Sequence, residues 1–418
     1  MLKIILSLWA LLLGIGLLMV GNGVQGTLLG VRGDIEGFST FQMSVVMAGY
    51  FAGFLGGSRA APDMIRRVGH VRVFAALGSL VSAALILFPA ITDPWAWTML
   101  RVLVGFCFSG LYVTAESWLN NASSNETRGQ TLSAYMIVQM LGIVAAQALV
   151  GLGDPGGWIL FIVPSVLVSV AFTPILLSIS PTPPYDSTKP LPLTALYRVS
   201  PLGCVGMFLL GGVFAAQFGM SAVFGTVAGL SVAHISIFVS TFFIGALALQ
   251  YPLGWLSDRM DRRVLIIGAA GLGALAALLG AMFSGNFAVL LVSGFLVGGM
   301  SNPLYSLLLA YTNDFLDLED MAAASGGLIF INGLGAIAGP LITGWMLDMF
   351  GPSGFFLFIL ALLGAIMAYG VWRMTQRAAP AVDDTGAYAP VAQGSSAVIV
   401  DAAWEYAADA AAEEEEGD

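Results

Sequence analysis

The sequence predicts an all-α membrane protein, with twelve transmembrane helices in two pseudo-symmetric six-helix bundles. Composition, the spacing of apolar runs and an internal repeat lead to that reading. Of the 418 residues, 58% are hydrophobic and 10% are charged, and the mean hydropathy is +0.89. A soluble domain carries roughly 25% charged residues, so lipid must be the solvent for most of this surface.

Apolar runs of about 20 residues are long enough to cross ~30 Å of hydrocarbon. They are centred near residues 14, 47, 82, 108, 139, 168, 214, 243, 273, 299, 333 and 362, with polar or Gly/Pro-rich breaks between them. The first follows Lys3 and has the look of a secretory signal, but the eleven runs behind it favour a spanning helix. Loop charges set the orientation. With the N-terminus inside, Lys3, Arg59, Arg66, Arg67, Arg72, Arg128, Lys189, Arg198, Arg259, Arg262, Arg263, Arg373 and Arg377 all fall on the cytoplasmic side. Arg32 alone falls outside and Arg101 falls within a span. Both termini are therefore expected in the cytoplasm, and the sequons at Asn121 and Asn125 on the side where glycosylation does not occur. A multi-pass protein of a bacterial cytoplasmic (inner) membrane is the expectation.

The net charge of -10 is concentrated beyond about Ala378, in Asp383, Asp384, Asp401, Glu405, Asp409, Glu413 to Glu416 and Asp418. That composition reads as a solvated, disordered tail over 377–418. Trp404 and Tyr406 could instead share a short helix that touches a partner. Cys107 and Cys204 lie in apolar stretches, and with only His70 and His234 beside them no metal site or cofactor is expected.

The repeat appears in the fourth and tenth spans. RVLVGFCFSGLY (101–112) aligns with GFLVGGMSNPLY (294–305) at a shift of 193, pairing Gly105 with Gly298 and Tyr112 with Tyr305. The same shift pairs Gln139 and Gly142 with Asn332 and Gly335, and a shift of 192 pairs Arg67 with Arg259. The domains are thus residues 1–180, a Pro-rich cytoplasmic linker 181–201, residues 202–376 and the tail. Six helices per repeat keep the copies parallel, which places a solute site between them at mid-depth.

GWLSDRMDRR (254–263), between the eighth and ninth spans, resembles the loop signature of the major facilitator superfamily, with Asp261 where the family has Gly. The loop between the second and third spans is a degenerate copy. Pro62 and Arg66 replace the Gly and the acid; Arg67 and Gly69 remain, and Arg72 lies just beyond. Arg101 with Gly105 resembles the family's fourth-helix motif, and Gly335, Gly339, Pro340 and Gly344 a Gly-rich motif that the family carries on its fifth helix. LYVTAESWLNNASSNETRGQTLSAYM (111–136) is similar to the bacterial YcaD-like branch. The resemblance covers residues 1–376 and implies a carrier of the same fold.

Arg101 is the most informative residue. An arginine inside a span costs ~2.5 kcal/mol or more, so it should face the bundle interior and have a partner. It could attract a substrate carboxylate in forked geometry, or be tied structurally to Asn22 or Gln25. Gln139, Asn302, Tyr112, Tyr305, Gln217 and Asn332 join Asn22 and Gln25 as candidate substrate ligands, each weighed against a role as interhelical glue. Gln139 and Asn302 are preferred, Gln139 for its likeness to a sugar-porter glutamine and Asn302 because Pro303 follows it. The methionines and phenylalanines read as packing or lipid-facing residues.

Glu116 closes the fourth span. As the resemblance implies, it would latch to Arg259, Arg262 or Arg263 while the carrier is open outward, with Arg128 alongside. Burial as a proton carrier is the alternative. Asp258 could cap the start of the fifth helix, and the mirror pair would be Arg66 or Arg67 with Asp314, Asp317 or Glu319. Asp34 and Glu36 read as solvated.

The expected function is secondary transport of a small organic solute by alternating access, anionic or zwitterionic in preference to neutral. The partners expected are that solute, the bilayer and a coupling proton or ion; no nucleic acid is expected, and the chain is expected to be a monomer. No P-loop points to direct ATP drive, and no nucleophile–base set points to an enzyme. The alternative is a transporter-like receptor or scaffold signalling through its acidic tail.

Overall fold

The structure is a computed structural model that describes residues 2–121, 125–177, 191–316, 318–376, 388–391, 394–396, 398–400, 402–404 and 406. Twelve long helices run through the described residues. They are α1 (Leu2–Ile35), α2 (Thr40–Val68), α3 (His70–Ala90), α4 (Pro94–Asn121), α5 (Asn125–Leu152) and α6 (Ile159–Leu177). After a seven-residue helix, Leu193–Val199, come α7 (Pro201–Val227), α8 (Val232–Ser257), α9 (Arg262–Met282), α10 (Phe287–Asn313), α11 (Leu318–Phe350) and α12 (Ser353–Met374). Ten are long and apolar enough to cross a membrane. In α2, glycines and Tyr50 dilute the apolar run, and the described apolar part of α6 is short (159–173). Each expected span centre falls on one of these helices.

Local chemistry starts the helices where the breaks predict. Ser39 and Gln42 form a reciprocal capping box at α2, which satisfies two otherwise unpaired N–H groups. Ser200, Ser231, Asp261 and Asn286 cap α7, α8, α9 and α10 with a side-chain oxygen that accepts a backbone N–H of the first turn. Helix α7 widens into a π turn at Ala216–Met220.

The sequence repeat recurs as a repeat of contacts. A Cβ on Gly53 would collide with the Val102 carbonyl, and one on Gly245 with the Phe295 carbonyl. Gly105 lies equally close to the Tyr50 carbonyl, and Gly298 to that of Phe242. Helix α2 therefore meets α4 as α8 meets α10, backbone against backbone. Gly142 on Gly16 and Gly335 on Phe208 repeat the pattern between α5 and α1 and between α11 and α7. Small residues allow such close approach where lipid supplies no hydrophobic drive between helices. Gly105→Ala is expected to lower stability by about 1–3 kcal/mol, because a backbone carbonyl cannot move aside as a side chain can. Melting of the detergent-solubilised protein checks this against Gly268→Ala, whose Cβ would meet nothing within 4 Å.

Between the halves, α2 lies along α11 and α5 along α8. At the face away from the chain termini they close: Gly30 abuts Ala222 and Val223, Gly344 abuts Ser44, and Gly151 approaches Ser236. Arg32 braces that face, bonding Glu36 and the carbonyls of Pro155 (3.1 Å) and Gly156. Glu36 is thus half of an ion pair, whereas the sequence suggested a solvated acid.

The segment 377–418, expected as one solvated tail, divides. Its acids Asp383, Asp384, Asp401, Glu405, Asp409, Glu413 to Glu416 and Asp418 lie outside the described residues, as do residues 178–190 of the linker. Its apolar residues Ala389, Val391, Ile399, Val400, Ala403 and Trp404 are buried against the bundle. Averaged composition hid them: these side chains have surface to bury, whatever the charge around them.

Candidate functional site

A cavity of about 200 Å³ lies between the halves at mid-depth. Helices α1, α2, α4 and α5 supply one wall and α7, α8, α10 and α11 the other. Eight of the nine sequence-predicted ligands line it: Arg101, Gln139, Asn302, Tyr112, Tyr305, Asn22, Gln25 and Asn332. Gln217 does not. The π turn carries it to α10, where its amide donates to Ser301 Oγ at 2.9 Å.

Arg101 is 2% exposed and sits at the centre of a polar chain. Its Nη1 donates to Gln25 Oε1 at 2.8 Å, and Nη2 points at the Met47 sulfur at 3.3 Å. The guanidinium lies 4.7 Å from the centroid of the Tyr50 ring, a favourable cation–π placement. Gln25 in turn donates to Asn22 Oδ1 (3.1 Å), and the Asn22 amide donates to the hydroxyls of Tyr50 (3.1 Å) and Tyr112 (2.9 Å). The tie to Gln25 is the one the sequence suggested. Among the described residues lining the cavity there is no carboxylate, and Arg101 Nε is buried without a hydrogen-bond partner. The site is a fixed positive charge held by neutral groups.

The other amides are partly committed. Asn302 donates to the Gly298 carbonyl one turn back (3.0 Å), and Asn332 to the Met207 carbonyl (2.9 Å), which ties α11 to α7. Thr27 donates to Gln147 (2.9 Å), joining α1 to α5. Tyr305 sets its ring edge-on to Phe214.

Tyr50, Phe51, Phe54, Phe218 and Phe243 also line the cavity; sequence reasoning placed the phenylalanines in lipid or packing and did not single out Tyr50. A signal existed in α2. Tyr50, Phe54 and Ser58 recur every four residues, which puts them on one face.

Among the described residues, several charged loop side chains pair within their own half. Arg262, 2% exposed at its side chain, binds Asp314, whose side chain is 3% exposed, and lies 3.7 Å from Asp258. Arg263 binds Asp261 at 2.8 Å, and Arg66 binds Asp63. Arg259 rests on the Trp255 ring, 4.3 Å from its centroid, and Arg67 is exposed. Of the acids expected for the mirror pairing of Arg66 or Arg67, Asp314 binds Arg262. The side chains of Arg128, Asp317 and Glu319 lie outside the described residues. Glu116 is fully buried and accepts hydrogen bonds from Tyr135 and from the Ser396 N–H (2.7 Å), not from the arginines of the α8–α9 loop. Asp258 accepts from the Tyr388 N–H at 2.8 Å instead of capping α5. Burial pushes its carboxyl above the usual range, against the pull of that N–H and Arg262.

The sequence model of the Major Facilitator Superfamily matches residues 11–234 and again 202–407. The chain is 28% identical over 365 residues to YfkF of Bacillus subtilis strain 168, an uncharacterized MFS-type transporter, covering 84% of this chain and 92% of that one. It is 25% identical over 354 residues to YcaD of Escherichia coli O6:K15:H31, likewise an uncharacterized MFS-type transporter, covering 84% and 91%. Among solved structures, the nucleoside transporter NupG (D323A mutant) superposes with a TM-score of 0.75 at 15% identity, over 87% of this chain and 98% of that one. A bacterial homologue of the lysosomal transporter Spinster, inward-facing and occupied, gives 0.69 at 16% identity over 92% and 98%.

Proposed function

The chain belongs to the major facilitator superfamily, and from that premise we propose that this transporter is a secondary carrier of a small organic anion or zwitterion. Arg101 carries the reading. A buried guanidinium among neutral partners leaves a cavity with positive potential, and a carboxylate of the solute would supply the missing charge. The tyrosine hydroxyls and the amides of Gln139 and Asn302 would orient the rest of the solute, and Phe51, Phe54, Phe218 and Phe243 would cover its apolar part.

The halves close at the face away from the termini, while a cavity lies between them and is lined by Gly394 of the tail, which supports alternating access by rocking of one bundle against the other. Loop charges favour a cytoplasmic-membrane protein with both termini inside, so the state described opens inward. We assign Glu116 and the arginines of the α8–α9 loop to a latch made in the opposite state. A monomer driven by a proton or ion gradient fits this reading. The receptor alternative is less supported, because the described part of the tail packs on its own chain.

A thermal-shift screen of purified protein against small organic acids, amino acids, neutral sugars and nucleosides tests the proposal. A solute at 100 times its Kd stabilises the folded state by about 2.7 kcal/mol, enough to see as a shifted melt. Carboxylates should dominate the hits. Stabilisation by neutral solutes alone would sink the anion reading.

A further inference from the structure

The described residues between Tyr388 and Tyr406 lie at the mouth of the cavity and touch both halves. On the C-terminal half, the Tyr388 hydroxyl accepts from Gln250 at 2.9 Å, its N–H donates to Asp258 at 2.8 Å, and its ring fills the space left by Gly254. Val391 is hooked twice to Ser306 of α10: its N–H donates to Oγ (3.0 Å) and its carbonyl accepts from Oγ (3.1 Å). Gly394 then lines the central cavity itself. On the N-terminal half, the Ser396 N–H donates to Glu116 at 2.7 Å. Ile399 and Ala403 face Leu132, Tyr135 and Met136 of α5, and Tyr406 sits against Gly129.

We infer that this segment is an autoinhibitory strap, which bars the open mouth and holds the two bundles apart. Two features make it more than a resting place for the tail. The strap bridges the elements that would have to approach one another for the mouth to close, with polar anchors on each. It also occupies Glu116, the acid assigned above to the latch. While Ser396 is seated, that carboxylate bonds Ser396 and Tyr135 in place of the arginines of the α8–α9 loop, so the strap opposes the alternate state as well as solute entry. Eleven residues, 377–387, separate it from Gln376, two residues beyond the end of α12. A short tether of this kind gives millimolar effective concentration, so weak anchors suffice to keep the strap seated.

The test needs no substrate. In a full chain carrying Cys107→Ser and Cys204→Ser, Ile143→Cys places one thiol in the cavity, deeper than the strap. Its reaction with a charged, bulky maleimide is timed in nanodiscs, where both faces meet solvent. A chain ending at Ala387 should label at least tenfold faster than the full chain. A full-length Tyr388→Ala/Val391→Pro variant, which loses the hooks on Gln250 and the N–H bond to Ser306, should also label several-fold faster. It alters no residue of the helices, and a melt matching that of the full chain separates strap release from misfolding. Equal or slower labelling in both variants would overturn the inference.

Discussion

Arg101→Ala is expected to weaken binding of the cognate organic acid by at least about 100-fold. A charge-assisted hydrogen bond contributes roughly 1.5–3 kcal/mol, and a guanidinium can offer two in parallel to a carboxylate. Loss of even ~3 kcal/mol corresponds to more than a hundredfold in Kd. The substitution also leaves the Gln25 carbonyl without its donor at 2.8 Å, which lowers the stability of the empty protein by about 1–3 kcal/mol. Binding must therefore be read as a shift from each variant's own unliganded melt. Arg101→Lys separates charge from shape. It keeps the cation but loses the planar fork and the placement over Tyr50, so its affinity should fall between the two. An acid that binds the alanine variant within threefold of wild type would return Arg101 to a purely structural role.

The second large effect concerns folding. Arg262 and Asp314 are both nearly inaccessible, and removing one member of a buried pair costs about 3–5 kcal/mol. Asp314→Ala should therefore be among the most destabilising single changes in the C-terminal half. Asp258, 3.7 Å away with its side chain 39% exposed, remains as a longer, more solvated partner of Arg262. A paired Arg262→Met/Asp314→Leu replacement should recover most of the loss, as buried ion pairs exchange for apolar residues at little cost. Denaturant titration in mixed micelles distinguishes the variants. A loss below about 1 kcal/mol for Asp314→Ala would mean that water reaches the site and the pair is not truly buried.

The spans were legible because the bilayer demands a run of apolar residues that no other context requires. The repeat was legible at Gly105 and Gly298 because a position that tolerates only hydrogen stays recognisable after its neighbours change. Arg101 stood out for its energetic cost in a span. Tyr50, Phe51 and Phe54 did not, since an aromatic ring in an apolar helix looks the same whether it faces lipid, a neighbour or a cavity. Gln217 was misplaced for a different reason. The π turn at Ala216–Met220 rotates the helix face, and nothing in the apolar run announces the extra residue. The latch partners could not be fixed from spacing, because Arg259, Arg262 and Arg263 sit within five residues of two acids, Asp258 and Asp261. Which of them pairs depends on where Asp314 arrives from α10.

The backbone contacts shared by the halves also bear on descent. Around Gly53 and Gly245, and around Gly105 and Gly298, the flanking side chains have largely diverged, yet each glycine still faces the carbonyl of the corresponding partner residue. Contacts made by main-chain atoms survive substitution of the side chains beside them, so these two pairs of seams preserve the outline of a single six-helix unit. Selection could then remake the cavity side chains of each copy separately, giving one half its buried cation and the other its neutral wall, without disturbing the frame that holds them.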